Sequence, residues 1–332
     1  MKALVFLGRE SIEFRDVADP VAGPGEAIVG VEACGICGSD MHGYHGHDPR
    51  RVPPMIMGHE IAGVVQGGAL AGRRVAVNPL LTCGRCPACL SGAQQLCEEQ
   101  KNIGLPPNEG GFAELVKVPE RNVVLLPDGL DFAAAALSEP VAVAYHAMLV
   151  GARLTRRPLS ASLVVVLGGG AIGLAAALVA LTQGAGRVML AETNEARRRT
   201  AAAASGRIEA YDPAGSSGPV EGSADLVFDA VGARATREAA FAMAARGAAI
   251  VHLGLLPGAE GVDVRRLTLR EISFAGSYCY STSDFNETVG LIAAGRLGPL
   301  GWVEERSMAE GAAAFRDIDT GTAAAAKIIL RN

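Results

Sequence analysis

The chain has no apolar run long enough to cross a membrane. Its longest apolar stretches are short and broken by glycine or charge, whereas a spanning helix needs about 20 apolar residues. An excess of positive charge is also missing. Thirty Lys and Arg stand against 35 Asp and Glu, for a net charge of −5. The signs are interspersed, so no basic patch marks nucleic acid as the main partner. There is no internal repeat and no long low-complexity tract. The first apolar segment, Ala3-Leu4-Val5-Phe6, is expected to be a strand and not a targeting peptide. What is present is a chain of 332 residues, 49% hydrophobic. That is enough for two domains with substantial cores.

Six of the seven cysteines lie before residue 98, and four of them, Cys83, Cys86, Cys89 and Cys97, form a C-x2-C-x2-C-x7-C pattern. Four thiolates in one short loop suit a closed tetrahedral structural Zn²⁺. The residues between them, Gly84, Arg85, Pro87 and Gly92, are loop formers. Two disulfides in a secreted domain are the alternative, and nothing else in the chain looks secreted. Thiolates kept for metal imply a reducing compartment, so a cytoplasmic location is expected.

Residues 1–147 are rich in Gly, Pro and Val, with short strand-like segments at Glu26–Glu32, Ile61–Val65 and Arg74–Val77. An irregular β-rich domain is expected there. The style changes near residue 150. Ser162–Leu167 is a continuous apolar run, as in a strand buried on both faces of a parallel sheet. An Ala/Leu-rich helix to Gln183, a strand at Arg187–Glu192, a helix at Glu195–Ala204 and strands at Asp225–Asp229 and Ala248–Leu253 follow. This is the pattern of a doubly wound α/β domain over 148–277. The tail is expected to hold a helix at Asp284–Ala294 and a strand at Ala326–Arg331, with 278–332 returning to the first domain.

Gly168, Gly170 and Gly173 form G-x-G-x-x-G between a predicted strand and a predicted helix. There the first glycine allows a tight turn, the second lets the backbone approach a pyrophosphate, and the third permits close packing. Ala171 and Ile172 complete this cofactor-facing turn. Glu192 ends the second strand, where a carboxylate accepts from ribose hydroxyls and repels a 2′-phosphate. NAD is therefore expected, with NADP the alternative because Arg197, Arg198 and Arg199 follow closely.

A second metal signal lies upstream, in Cys34-Gly-Ile-Cys37-Gly-Ser39-Asp40-Met-His42 and Gly58-His59-Glu60. A thiolate and an imidazole from two loops, with a carboxylate from elsewhere, leave one position open on Zn²⁺. With Gly110–Glu114, Glu139–Ala144, the four-cysteine lobe and the glycine turn, these segments resemble the zinc-dependent medium-chain alcohol and polyol dehydrogenases over essentially the whole chain. The resemblance implies a Rossmann cofactor domain beside a GroES-like catalytic domain with a structural zinc lobe.

It also implies two Zn²⁺ per chain. Cys37, His59 and Glu139 would be the ligands of the catalytic ion, and Glu60 an exchanging neighbour. Asp40 would hold the His59 ring, Ser39 would take the alcohol proton, and His42 would relay it. Hydride would pass between a secondary alcohol or small polyol and NAD, with a small-molecule alcohol or ketone as the only partner besides further copies in a homodimer or homotetramer. An NADPH-linked carbonyl reductase and a catalytically silent nucleotide-binding protein are the alternatives. Cys279 stands where sorbitol-type relatives carry an arginine for polyol hydroxyls, and Tyr44 is one position out of register. A smaller or less polar alcohol is therefore expected.

Overall fold

The computed structural model describes residues 1–332. The segments with continuous β-branched runs do become a parallel sheet. Its strands lie in the order Ile208–Tyr211, Arg187–Ala191, Leu163–Leu167, Ala224–Asp229, Ala244–His252 and Ser273–Gly276, all parallel. The chain reverses direction of travel between Leu163–Leu167 and Ala224–Asp229. The carboxyl ends of those two strands open a crevice, where ligands bind in such sheets. Residues just beyond both ends, Ile172, Ala230 and Val231, line one cleft.

The first half is antiparallel. Glu26–Gly35 pairs with Glu60–Val65 and Leu115–Pro119, and Arg74–Val77 extends the sheet outward. The final strand, Lys327–Arg331, inserts between Glu26–Gly35 and Val303–Ser307. The tail therefore divides. Helix Thr282–Ala293 packs with the parallel-sheet half, where Phe285 and Val289 share its core. The chain joins the first sheet only from Val303 onward.

Helix Ser138–Leu154 is the longest in the chain and runs unbroken past residue 147. The Glu139-Pro140 pair hides it in the sequence, yet a proline is tolerated in the first turn, where its missing N–H has no intrahelical partner. The helix packs between the halves and carries Glu139 at its buried start.

Successive residues of Lys327–Arg331 face opposite sides, as strand geometry requires. Ile329 enters the core that the parallel-sheet half shares with part of the first sheet, and Leu330 the first half's own core. Leu330 is fully buried. Leu330→Ala is expected to lower the unfolding free energy by about 2–5 kcal/mol, read by chemical denaturation. A loss below about 0.5 kcal/mol would show that the tail does not lock the sheet.

Candidate active site

Backbone conformation places the metal-binding side chains before any metal is considered. Cys37 sits at the start of helix Gly38–Tyr44, and its N–H donates to Asp40 Oδ2 at 3.0 Å. Asp40, wholly buried, thus closes the helix start. Gly58 has φ +94°, and a Cβ there would meet the Phe112 ring at 2.6 Å. Only glycine turns the chain so tightly beside that ring, and His59 follows at once. Gly35 leaves the space that the Glu60 carboxylate fills, since a Cβ would lie 1.9 Å from Oε2.

The result is a convergence. Donor atoms of Cys37, His59 and Glu60 lie within 4.8 Å of one another. Glu60 Oε1 accepts from Lys327 Nζ at 2.6 Å, while buried Oε2 has no partner. A sulfur, an imidazole nitrogen and an orphaned carboxylate oxygen are a donor set that fits Zn²⁺. Glu139 lines the same cleft but stands outside this trio. Its Oε1 accepts from Tyr280 Oη at 2.8 Å. Burial pushes its carboxyl up to about 8, against the pull of His59.

Burial likewise raises the Cys37 thiol to about 11, with the Glu60 charge adding to it, while Lys327 and the Ser39 hydroxyl pull it down. Asp40 Oδ1 lies 3.7 Å from His59 Nδ1, an ion-pair distance beyond hydrogen-bond reach, and 2.9 Å from Arg51 Nη1. Ser39 Oγ accepts from Arg51 Nη2 at 3.2 Å. His42 lies three residues further along the same short helix, so it falls on the same face as Ser39, and both line the cleft. Burial and the neighbouring His47 and His45 push the His42 pKa down.

The other histidines lie elsewhere. His45 contacts Asp319 and His146 contacts Asp284, at 2.7 and 2.8 Å. His252 lies 3.5 Å from Asp229. Cys34 is fully buried in the first core.

The four-cysteine lobe closes on itself. Cys83, Cys86, Cys89 and Cys97 present their sulfurs within 4.8 Å of one another. The Cys83–Cys89 sulfur separation is 3.9 Å, against roughly 3.8 Å for a tetrahedron with Zn–S bonds of about 2.3 Å. The N–H groups of Arg85 and Cys86 point at Cys83 Sγ and lower its pKa to about 7.

At the glycine turn, Gly168 has φ +100°, and a Cβ on Gly173 would lie 1.8 Å from the Gly168 carbonyl oxygen. Gly170 opens helix Ala171–Thr182, whose first N–H groups face the crevice end of the sheet. Glu192 is buried, with Oε2 accepting from Gly169 N at 2.9 Å and Oε1 from Asn194 N at 2.7 Å. Arg197 Nη2 reaches Glu192 Oε1 at 3.4 Å.

Lys327, Arg51 and Tyr280 escaped the sequence reading. A lysine within the apolar run Lys327-Ile-Ile-Leu was the one available signal of a buried cation.

In the metal-free protein Cys37 carries its proton, and a metal ligand must lose it. The apparent Zn²⁺ affinity of this site should therefore rise with pH, by at least about tenfold per unit between pH 6.5 and 8.5. Chelator competition at several pH values measures it. A flat profile would remove Cys37 from the ligand set.

Known proteins resemble the chain along nearly its whole length. Residues 23–128 match the alcohol dehydrogenase GroES-like domain, and residues 171–294 match the zinc-binding dehydrogenase domain. L-galactonate-5-dehydrogenase of Escherichia coli K12 is 32% identical over 312 residues, covering 90% of this chain and 88% of that protein. A Sinorhizobium meliloti structure bound to NADP superposes with a TM-score of 0.88 at 31% identity, over 100% of this chain and 99% of the other. A short chain alcohol dehydrogenase from Escherichia coli CFT073, complexed with NADH, gives 0.89 at 25% identity, over 100% and 99%. With its GroES-like half, its doubly wound half and these relatives, the chain belongs to the zinc-dependent medium-chain alcohol and polyol dehydrogenases.

Proposed function

We propose that this enzyme oxidises a secondary alcohol or small polyol with NAD, using a catalytic zinc held by Cys37, His59 and Glu139, with Glu60 as the exchanging neighbour. The observation that carries this is the convergence of Cys37, His59 and Glu60 at the floor of a cleft whose opposite wall is Ile172, Val231 and Leu253. Residues 1–147 with the tail would supply the metal floor, and residues 148–277 the dinucleotide. When bound, zinc supplies Lewis-acid assistance to the alcohol oxygen and the nicotinamide accepts hydride.

The two carboxylates differ in their need for that ion. Glu60 has Lys327 as its counter-charge. Glu139 has the Tyr280 hydroxyl and the nearby charge of His59, and burial still raises its carboxyl to about 8, so a further cation would favour its ionised form. Tyr280 fixes Oε1 and leaves Oε2 free to turn toward the metal floor. This supports Glu139 as the ligand that completes the site.

Arg51 fixes Ser39 by donating to Oγ, so the Ser39 proton points elsewhere and its remaining lone pair can take the proton of an incoming alcohol. His42, kept neutral near pH 7 by its lowered pKa, takes the next step toward solvent. Ser39→Ala should cut turnover about 10²–10⁴-fold while zinc content and melting temperature hold. Near-normal turnover would refute the relay.

Glu192 supports NAD over NADP. Its carboxylate is fixed at the ribose end of the glycine turn, where a 2′-phosphate would meet a buried negative charge. A panel of secondary alcohols with NAD and with NADP, followed at the nicotinamide absorbance band, tests the reading. Wild type should prefer NAD, and Glu192→Ala should weaken NAD binding and narrow the preference, since Arg197 then faces no opposing charge. A wild-type preference for NADP would favour the carbonyl-reductase alternative instead. We further propose that the enzyme works in the cytoplasm as a homodimer or homotetramer, which sedimentation would test.

A further inference from the structure

The four-cysteine lobe reaches beyond itself. Three glutamines in or beside it bond toward the segment that leaves the parallel sheet. Gln100 Nε2 donates to Tyr278 Oη at 3.3 Å, and Gln94 Oε1 accepts from Thr282 N at 3.3 Å. Gln95, buried in the single turn Gln94–Leu96, donates from Nε2 to His146 Nε2 at 3.3 Å. An amide nitrogen can only donate, so His146 accepts there and carries its proton on Nδ1. That nitrogen faces Asp284 Oδ2 at 2.8 Å, and the same oxygen accepts from Ser281 N at 2.9 Å. Between these anchors lies Tyr280, whose hydroxyl donates to Glu139 Oε1 at 2.8 Å.

His146 and Glu139 lie on one face of helix Ser138–Leu154, about two turns apart. Each meets the crossing segment, Glu139 through Tyr280 and His146 through Asp284. The segment is thus held between that helix and the lobe. It is also strained. Cys279 has φ +46°, a left-handed conformation uncommon outside glycine. At this kink Tyr278 goes to the lobe and Tyr280, wholly buried, goes to Glu139. Such strain persists only where the surroundings over-determine it, and it gathers at functional sites. A carboxylate already fixed through one oxygen needs less ordering when the other binds a metal.

We propose that Gln94, Gln95 and Gln100 make the cysteine lobe a clamp on Tyr280, so that a lobe closed on its own zinc raises the affinity of the floor for the catalytic zinc. Gln95 and His146 act through Asp284 and Tyr280 and are positioning residues. The coupling is reciprocal, because linkage requires an occupied floor to favour the lobe's zinc by the same factor. This rests on the reading of Glu139 as a ligand.

The test measures floor zinc affinity by chelator competition on the full chain, with the lobe kept loaded. Tyr280→Phe should weaken it about 10–100-fold, the usual loss when a ligand's hydrogen-bond partner is removed. Gln95→Leu removes no ligand, yet it should weaken floor affinity about 5-fold or more. In the Tyr280→Phe background Gln95→Leu should add little, because the clamp acts through that hydroxyl. With Co²⁺ at the floor, both variants should shift the visible absorption in the same direction. Phe241→Leu, in a separate core of the parallel-sheet half, supplies a plain loss of stability and should leave affinity and spectrum unchanged. Unchanged floor affinity in Gln95→Leu, full additivity with Tyr280→Phe, the same affinity loss in Phe241→Leu, or a lobe affinity indifferent to floor occupancy would each overturn the clamp. Glu139→Gln separates this from the reading beneath it. A loss of floor affinity there with none in Gln95→Leu rejects the clamp alone. Unchanged affinity in Glu139→Gln rejects Glu139 as a ligand, and the clamp with it.

Discussion

Charge balance at the cleft floor is the constraint around which this molecule is built. Three buried carboxylates, Asp40, Glu60 and Glu139, surround the half-buried Cys37 thiol. The chain itself supplies two cations there, Arg51 beside Asp40 and Lys327 on Glu60. Glu139 and Cys37 have raised pKa values mainly because burial disfavours their charged forms, even with His59 pulling on Glu139 and Lys327 on Cys37. A divalent cation matches the two missing charges. Without one, burial favours the protonated forms of both groups, and a bound cation would favour their ionised forms. The site is therefore a place where fold stability and metal binding are the same electrostatic problem.

Solving that problem requires elements far apart in sequence. Lys327 lies 267 residues from Glu60, and Tyr280 lies 141 from Glu139. This explains why the tail must return to the first sheet. Without Lys327–Arg331 between its neighbours, Glu60 would be a buried charge lacking its partner, an arrangement that costs about 3–5 kcal/mol when one side is removed. The glycines serve the same end locally. Gly35 and Gly58 clear the volume into which Glu60 and the Phe112 ring pack, and they place the Glu60 carboxylate and His59 at one point.

What the sequence made legible was whatever is local. The glycine turn, the cysteine lobe and the Cys37 and His59 segments each act over a few residues, so their spacing carries the chemistry. Helix Glu195–Ala204 has the bounds read from the sequence because its polar face and Asn194 cap are local too. The long helix from Ser138 was missed because Pro140 is permitted only by its place in the first turn. Arg51 reads as one more loop arginine until folding buries it against Asp40. The Glu60 carboxylate, read as a neighbour of the metal, comes nearer to Cys37 and His59 than the Glu139 carboxylate does, a difference of side-chain placement that no spacing encodes.

The segment leaving the parallel sheet joins the two halves of the chemistry. Strand Ser273–Gly276 is the last of the parallel sheet, and within five residues the chain passes Tyr278 and Cys279 at the cleft and delivers Tyr280 to Glu139. Tyr280 is wholly buried and packs on Phe285 at the start of the next helix. The sheet's last strand therefore helps set where the Tyr280 hydroxyl meets Glu139 Oε1. The same few residues reach the cysteine lobe through Tyr278, whose hydroxyl accepts from Gln100 at 3.3 Å. The parallel-sheet half, Glu139 and the cysteine lobe thus meet in one short connection.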